Sequence, residues 1–307
     1  MRELDYVVNA QARALSGGAT KAVAFLVDDV TGAFYAHIGR GVEQQAKAEG
    51  RLCMLCTTDA EPEQVFLIIE LMREQNADAV IVVGGAWENE EYEGRLAHYA
   101  RALDRSGSRL VLVGRPPLAA ADAPATVVEY DNEGGAYAAT SHLLASGHRR
   151  IAYLGAIQGL VTSSQRITGF TRAHQAYGLV PDPALILPGE FSREYGRRAV
   201  RELLDREAGF TAVMAATDVV AAGALHELRA AGPRVPEDVA LVGYDDIPLA
   251  SDLFPALTTV HVPQDELGRT AVRLALDRDR YTGAQHVMLG THVVVRDSAP
   301  PPGRSRP

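Results

Sequence analysis

Short unbroken runs of Val, Ile, Leu and Ala recur along the chain, at Ala22–Val27, Leu52–Cys56, Ala79–Val83, Leu110–Val113, Ile151–Leu154, Ala212–Ala215 and Val239–Val242. Between most of them lie longer stretches in which apolar residues return every three or four positions. Strand-length apolar runs alternating with amphipathic helices indicate parallel sheets covered on both faces, because a strand with one wet face would alternate apolar and polar residues. The first helix shows the pattern: Phe34, Ile38, Val42 and Ala46 fall at intervals of four, Arg40, Glu43 and Lys47 lie elsewhere on the wheel, and Gly50 ends it. Further helices are predicted from about Pro62 to Gln75, from Asn132 to Ser146, after Arg166 toward Gly178 and after Asp218 toward Gly232. The βαβα order on both sides of Glu129–Asn132, with further crossings near Val260–Pro263 and Leu289–Thr291, predicts an α/β chain of two doubly wound parallel-sheet lobes joined by three crossover segments.

Length agrees, since 307 residues exceed what one hydrophobic core usually serves. With 47% hydrophobic and 22% charged residues the proportions are globular, and the Pro-rich end at 299–307 is expected to be a disordered tail. A net charge of −9 excludes binding of a phosphate backbone by this segment alone, which would need clustered Lys and Arg. The chain shows neither an N-terminal apolar export signal nor an apolar run of membrane-spanning length, so a cytoplasmic protein without membrane attachment is expected. Cys53 and Cys56 have the spacing of half a zinc site, but a strand would aim them at opposite faces and no second pair exists; they read as buried core thiols. No metal or cofactor motif and no paired nucleophile and base occur, so no enzyme, cofactor or metal site is expected.

In open α/β sheets ligands sit beyond the carboxyl ends of the strands, where Asp28, Asp29, Trp87, Arg115, Thr217, Asp218 and Asp245 fall. Carboxylates accept from paired hydroxyls and an arginine fork donates to oxygens, which suits a polyol. Phe34 and Tyr35 offer rings for the apolar face of a sugar. Each residue also has a structural reading. One of Asp28 and Asp29 ties its own loop, Trp87 packs a lobe, Asp218 caps the following helix, Arg166 anchors the start of its helix, and Asp245 with Asp246 forms a solvated strand-end pair.

The stretches F-L-V-D-D-V-T-G-A-F-Y at 25–35, G-H-R-R-I-A-Y-L-G at 147–155, R-I-T-G-F at 166–170, A-A-T-D at 215–218, V-P-E-D-V-A-L-V-G-Y-D-D at 235–246 and V-V-V-R-D-S at 293–298 resemble the effector-binding core of the lactose-repressor (LacI/GalR) family of bacterial transcription regulators. The resemblance covers almost the whole chain. It implies a periplasmic-binding-protein-like fold of type I, divided as 19–130 plus 262–290 and 131–261 plus 291–298, with the helix at about Gln264–Leu276 returning to the first lobe. It also implies a small-molecule effector, most simply a carbohydrate, in the cleft between the lobes. Phe34, Tyr35, Arg166, Phe191, Thr217 and Asp245 match contact positions; Thr217 stands where many members carry Asn. Residues 1–18 resemble the end of a DNA-reading headpiece and its hinge helix, with Asn9, Ala12, Arg13 and Leu15 at minor-groove positions. A homodimer is implied, which would reach operator DNA only through a headpiece missing from this sequence. The alternative is an extracytoplasmic sugar-binding protein serving a transporter.

Overall fold

The computed structural model describes residues 21–277 and 283–301, so the hinge positions Asn9, Ala12, Arg13 and Leu15 lie outside the described residues. The chain divides into two compact units. The described part of the first comprises 21–84, 89–129, 264–277 and 283–288, and that of the second 85–88, 130–263 and 289–301.

In the first unit, strands β1 (Ala22–Val27), β2 (Leu52–Thr57), β3 (Ala79–Val83), β4 (Arg109–Val113), β5 (Thr126–Tyr130) and β11 (His286–Leu289) form a six-stranded sheet in the order β11-β5-β4-β3-β1-β2. The pairs from β2 through β5 are parallel. Helices α1 (Ala33–Ala48), α2 (Pro62–Glu74), α3 (Glu90–Arg105) and α9 (Gln264–Leu276) belong to this unit. β1, β3, β4 and β5 are buried throughout; β1 and β3 are continuous apolar runs, whereas β4 opens on Arg109 and β5 carries Thr126 and Glu129. α1 buries Ile38, Val42 and Ala46 on one stripe. Close approach of α1 and α9 depends on paired glycines: a Cβ on Gly41 would stand 2.1 Å from the Asp265 carbonyl oxygen, and one on Gly268 2.2 Å from that of Ile38.

In the second unit, β6 (Ile151–Ala156), β7 (Ile186–Pro188), β8 (Ala212–Ala215) and β9 (Ala240–Val242) form a parallel sheet in the order β7-β6-β8-β9. β10 (Thr259–His261) and β12 (His292–Val294) pair antiparallel beside it. Helices α4 (Asn132–Ala145), α5 (Val161–Ala176), α6 (Arg193–Asp205), α7 (Asp218–Ala231) and α8 (Leu249–Asp252) complete the unit. Its core gathers Leu154, Leu187, Tyr195, Leu203, Val213, Leu225 and Leu241.

Four expectations are corrected. Cys53 and Cys56 are half-buried free thiols on edge strand β2, where Leu52 and Leu55 are exposed, because among the described residues no strand pairs with its outer edge. Segment 85–88 belongs to the second unit, since Glu88 N–H donates to the Gly159 carbonyl and Val161 N–H to that of Ala86, both at 2.9 Å. Ala299 is packed rather than part of a loose tail: it is 2% exposed and its carbonyl lies 2.8 Å from His142 Nε2. Residues 302–307 lie outside the described residues. Helix α5 begins at Val161, five residues before Arg166, with Ser163 Oγ accepting from Ile157 N–H at its first turn; the Val-Thr-Ser-Ser start has weak helix propensity and hides that boundary.

Candidate functional site

The first unit places one polar cluster where β1, β3 and β4 end side by side. Asp28 follows β1 directly and accepts a 3.0 Å hydrogen bond from Thr58 Oγ1, the second residue beyond the edge of β2's apolar run. Gly84 follows β3; a Cβ there would stand 3.0 Å from Asp28 Oδ2 and 3.8 Å from Tyr35 Oη, which fixes all three as neighbours. Arg115, two residues beyond β4, is buried and donates from Nε to the Gly84 carbonyl at 3.1 Å. Tyr35 and Phe34 open α1 and meet edge to face with centroids 5.7 Å apart.

Asp29 does something else. Both its oxygens accept from Thr31, one of them also from the Thr31 N–H at 2.7 Å, so it closes its own loop; those bonds hold its carboxyl below the usual range. Of the two adjacent aspartates, it is the loop tie, and Asp28 remains the candidate contact.

The second unit builds its cluster around Arg166, which is 2% exposed in the second turn of α5. Nε donates to Asn132 Oδ1 at 2.9 Å, Nη1 to the Ala216 carbonyl, and Nη2 to Tyr130 Oη at 3.2 Å and Asp245 Oδ1 at 3.3 Å. Its guanidinium lies 3.7 Å over the Tyr244 ring, whose hydroxyl donates to the carbonyls of Asn132 and Asp131. Within the second unit Arg166 thus spends its donors on Asn132, Tyr130 and the Ala216 carbonyl just past β8, and orients Asp245. Tyr130, Asn132 and Tyr244, which sequence reasoning missed as site residues, form that cage. Their signal was only proximity to chosen positions, Tyr244 standing immediately before Asp245.

Asp245 is 7% exposed and not a solvated pair member. Burial pushes its carboxyl up to about 6, against the charge and hydrogen bond of Arg166. Asp246 points elsewhere, accepting from Arg296 at 2.7 Å and lying 2.9 Å from His261 Nδ1. Thr217, not Asp218, caps α7: its Oγ1 accepts from Val220 N–H at 3.2 Å. Asp218 is fully buried and accepts from Thr259 Oγ1 at 2.5 Å and Ile247 N–H at 2.9 Å. Burial and the neighbouring Asp245 charge raise its carboxyl well above the ordinary value. It ties β9 and β10 to α7 and has no face for a ligand, which corrects both of its expected roles.

Two aromatic candidates remain accessible. Phe191 is half-buried after β7, and a Cβ on Gly155 in β6 would stand 3.5 Å from its ring. Trp87 is 50% exposed and held by a backbone bridge to Leu160. Among the described residues no group of three or more His, Cys, Asp or Glu is arranged to hold a metal ion, and no helix is long and apolar enough to cross a membrane.

Two doubly wound units with polar clusters at the carboxyl ends of their strands define a periplasmic-binding-protein-like class of ligand binder. Residues 140–299 match the family described as periplasmic binding protein-like domain. The HTH-type transcriptional regulator CelR of Thermobifida fusca is 36% identical over 305 residues, covering 97% of this chain and 87% of that protein. The solved structure of a transcriptional regulator CelR–cellobiose complex superposes with a TM-score of 0.80 at 33% identity, covering 96% of this chain and 92% of that one. A LacI family transcriptional regulator from Enterococcus faecium with bound ribose gives a TM-score of 0.77 at 28% identity, covering 91% and 99%. The chain belongs to the LacI family of transcriptional regulators.

Proposed function

We propose that this chain is the effector-binding and dimerisation core of its regulator, that its effector is a sugar, and that both polar clusters contact it. The observation that carries this reading is a shared arrangement. Each unit sets an acceptor carboxylate and an aromatic ring at the carboxyl ends of its strands, Asp28 with Tyr35 in the first and Asp245 with Phe191 in the second. Carboxylates accept from vicinal hydroxyls, and rings cover the C–H faces that hydroxyls leave bare. Similarity to a cellobiose complex and a ribose complex supports the same ligand class.

A ligand touching both units favours whichever arrangement of them lets both clusters reach it, and its differential affinity for that arrangement is the most it contributes to switching. In a homodimer carrying DNA-reading headpieces, that preference would reset operator affinity. The test is a thermal-unfolding screen against free sugars, sugar acids, nucleosides and purines, in which a ligand at a hundred times its Kd adds about 2.7 kcal/mol of stability. A sugar that raises the midpoint supports the reading. A purine or nucleoside that does so, with every sugar inert, removes it.

A further inference from the structure

Arg115 is 6% exposed, and its Nε donates to the Gly84 carbonyl. Its Nη1 is buried with no hydrogen-bond partner, and among the described residues no carboxylate comes within ion-pair distance of it. A buried guanidinium carries five donors and a charge that cannot be shed, so burying it without a counter-charge costs several kcal/mol. Arg166 shows what this chain does when a guanidinium serves its own fold: three side-chain or backbone acceptors, a tyrosine ring and the Asp245 carboxylate surround it. Arg115 has none of that company. It stands instead on Gly84, whose other neighbours are Asp28 Oδ2 and Tyr35 Oη, at the ends of three adjacent parallel strands.

We propose that Arg115 is the counter-ion for an acidic group on the effector, so that the ligand is an anionic sugar, a sugar carboxylate or sugar phosphate, rather than a neutral one. The inference rests on the sugar-binding reading above. A hydroxyl or ring oxygen could fill the hydrogen-bond position of Nη1, but only an anionic oxygen also offsets the buried charge, and a carboxylate or phosphate does both through a planar or tetrahedral pair of oxygens. Asp28 sets the limit on the other side: its carboxylate favours hydroxyls near the same spot, which places the acidic group toward Arg115 and the polyol toward Asp28 and Tyr35.

Calorimetric titration of the wild-type chain with matched probes tests this: glucose, glucuronate and glucose 6-phosphate, and cellobiose beside cellobionate. The expected result is an acidic member binding at least about tenfold more tightly than its neutral twin, with that ratio lost in Arg115→Gln. Preference for the carboxylates alone or the phosphate alone supports the inference and names the acid. A neutral sugar binding as tightly as its acidic twins, or a preference that survives Arg115→Gln, overturns the inference and leaves the sugar-binding function standing. Binding by no sugar of either kind overturns both. Should Arg115→Gln fail to fold, the wild-type ratio still decides the ligand class.

Discussion

The two polar clusters are built on the same plan and finished differently. In the second unit Arg166 is enclosed by Asn132, Tyr130, Tyr244, the Ala216 carbonyl and Asp245, so its donors are met from within the unit. In the first, Arg115 holds one carbonyl and Asp28 one hydroxyl. The difference separates two uses of a buried arginine. One spends its donors on the fold and on orienting a carboxylate. The other keeps capacity in reserve, at a standing cost in stability.

The largest expected effect follows from Arg166→Ala. It removes the partner of Asp245 and leaves the acceptors around it unpaired, so urea denaturation should show a loss of about 3 kcal/mol or more. Equal stability of variant and wild type would mean that the cage is not structural. Asp245→Asn should act on binding instead, weakening the sugar by more than about tenfold, or about 1.4 kcal/mol, as read by calorimetry. Thr217→Ala removes the cap of α7 and should cost about 1 kcal/mol in the same urea experiment. Asp29→Ala opens only an exposed loop tie and should leave both the unfolding midpoint and sugar affinity unchanged; a clear drop in affinity would return Asp29 to the site.

Acidity sharpens the contrast further. Because burial raises the Asp245 carboxyl to about 6 from an ordinary value of 3.8, the folded chain holds that proton more tightly than the unfolded one. Its contribution to stability is therefore greatest below the ordinary value and declines as pH rises toward 6, levelling above it. Asn at position 245 should flatten that segment of the pH–stability curve. Sugar affinity should run the other way, strengthening as pH rises through 6 and the acceptor carboxylate forms.

Strands were the most legible part of the sequence. β1, β3 and β8 begin and end where their apolar runs do, because each is packed on both faces and consists of apolar residues alone. α9 spans Gln264–Leu276, the extent that the family resemblance implied. β5 was hidden: no strand was expected at 126–130 and Glu129–Asn132 read as the boundary between the two βα sets, although Thr126, Glu129 and Tyr130 are buried. α5 was hidden at its start by poor helix formers. At the candidate sites, position was legible and partnership was not. Strand ends located Asp28, Arg115, Thr217 and Asp245, yet nothing in the sequence told Asp28 from Asp29, or showed that Asp218 turns inward to Thr259, forty-one residues away. Such pairings depend on which strands lie side by side, and the order β7-β6-β8-β9 is not written in any local pattern.

The central claim is that one sugar engages both clusters. Calorimetric titration of that sugar into the wild type, Tyr35→Ala, Asp245→Asn and the double variant tests it most directly. The account expects each single substitution, one per unit, to weaken binding by at least about tenfold while the unliganded proteins unfold at similar urea concentrations. Undiminished affinity in either single variant would confine the ligand to one unit and contradict the account.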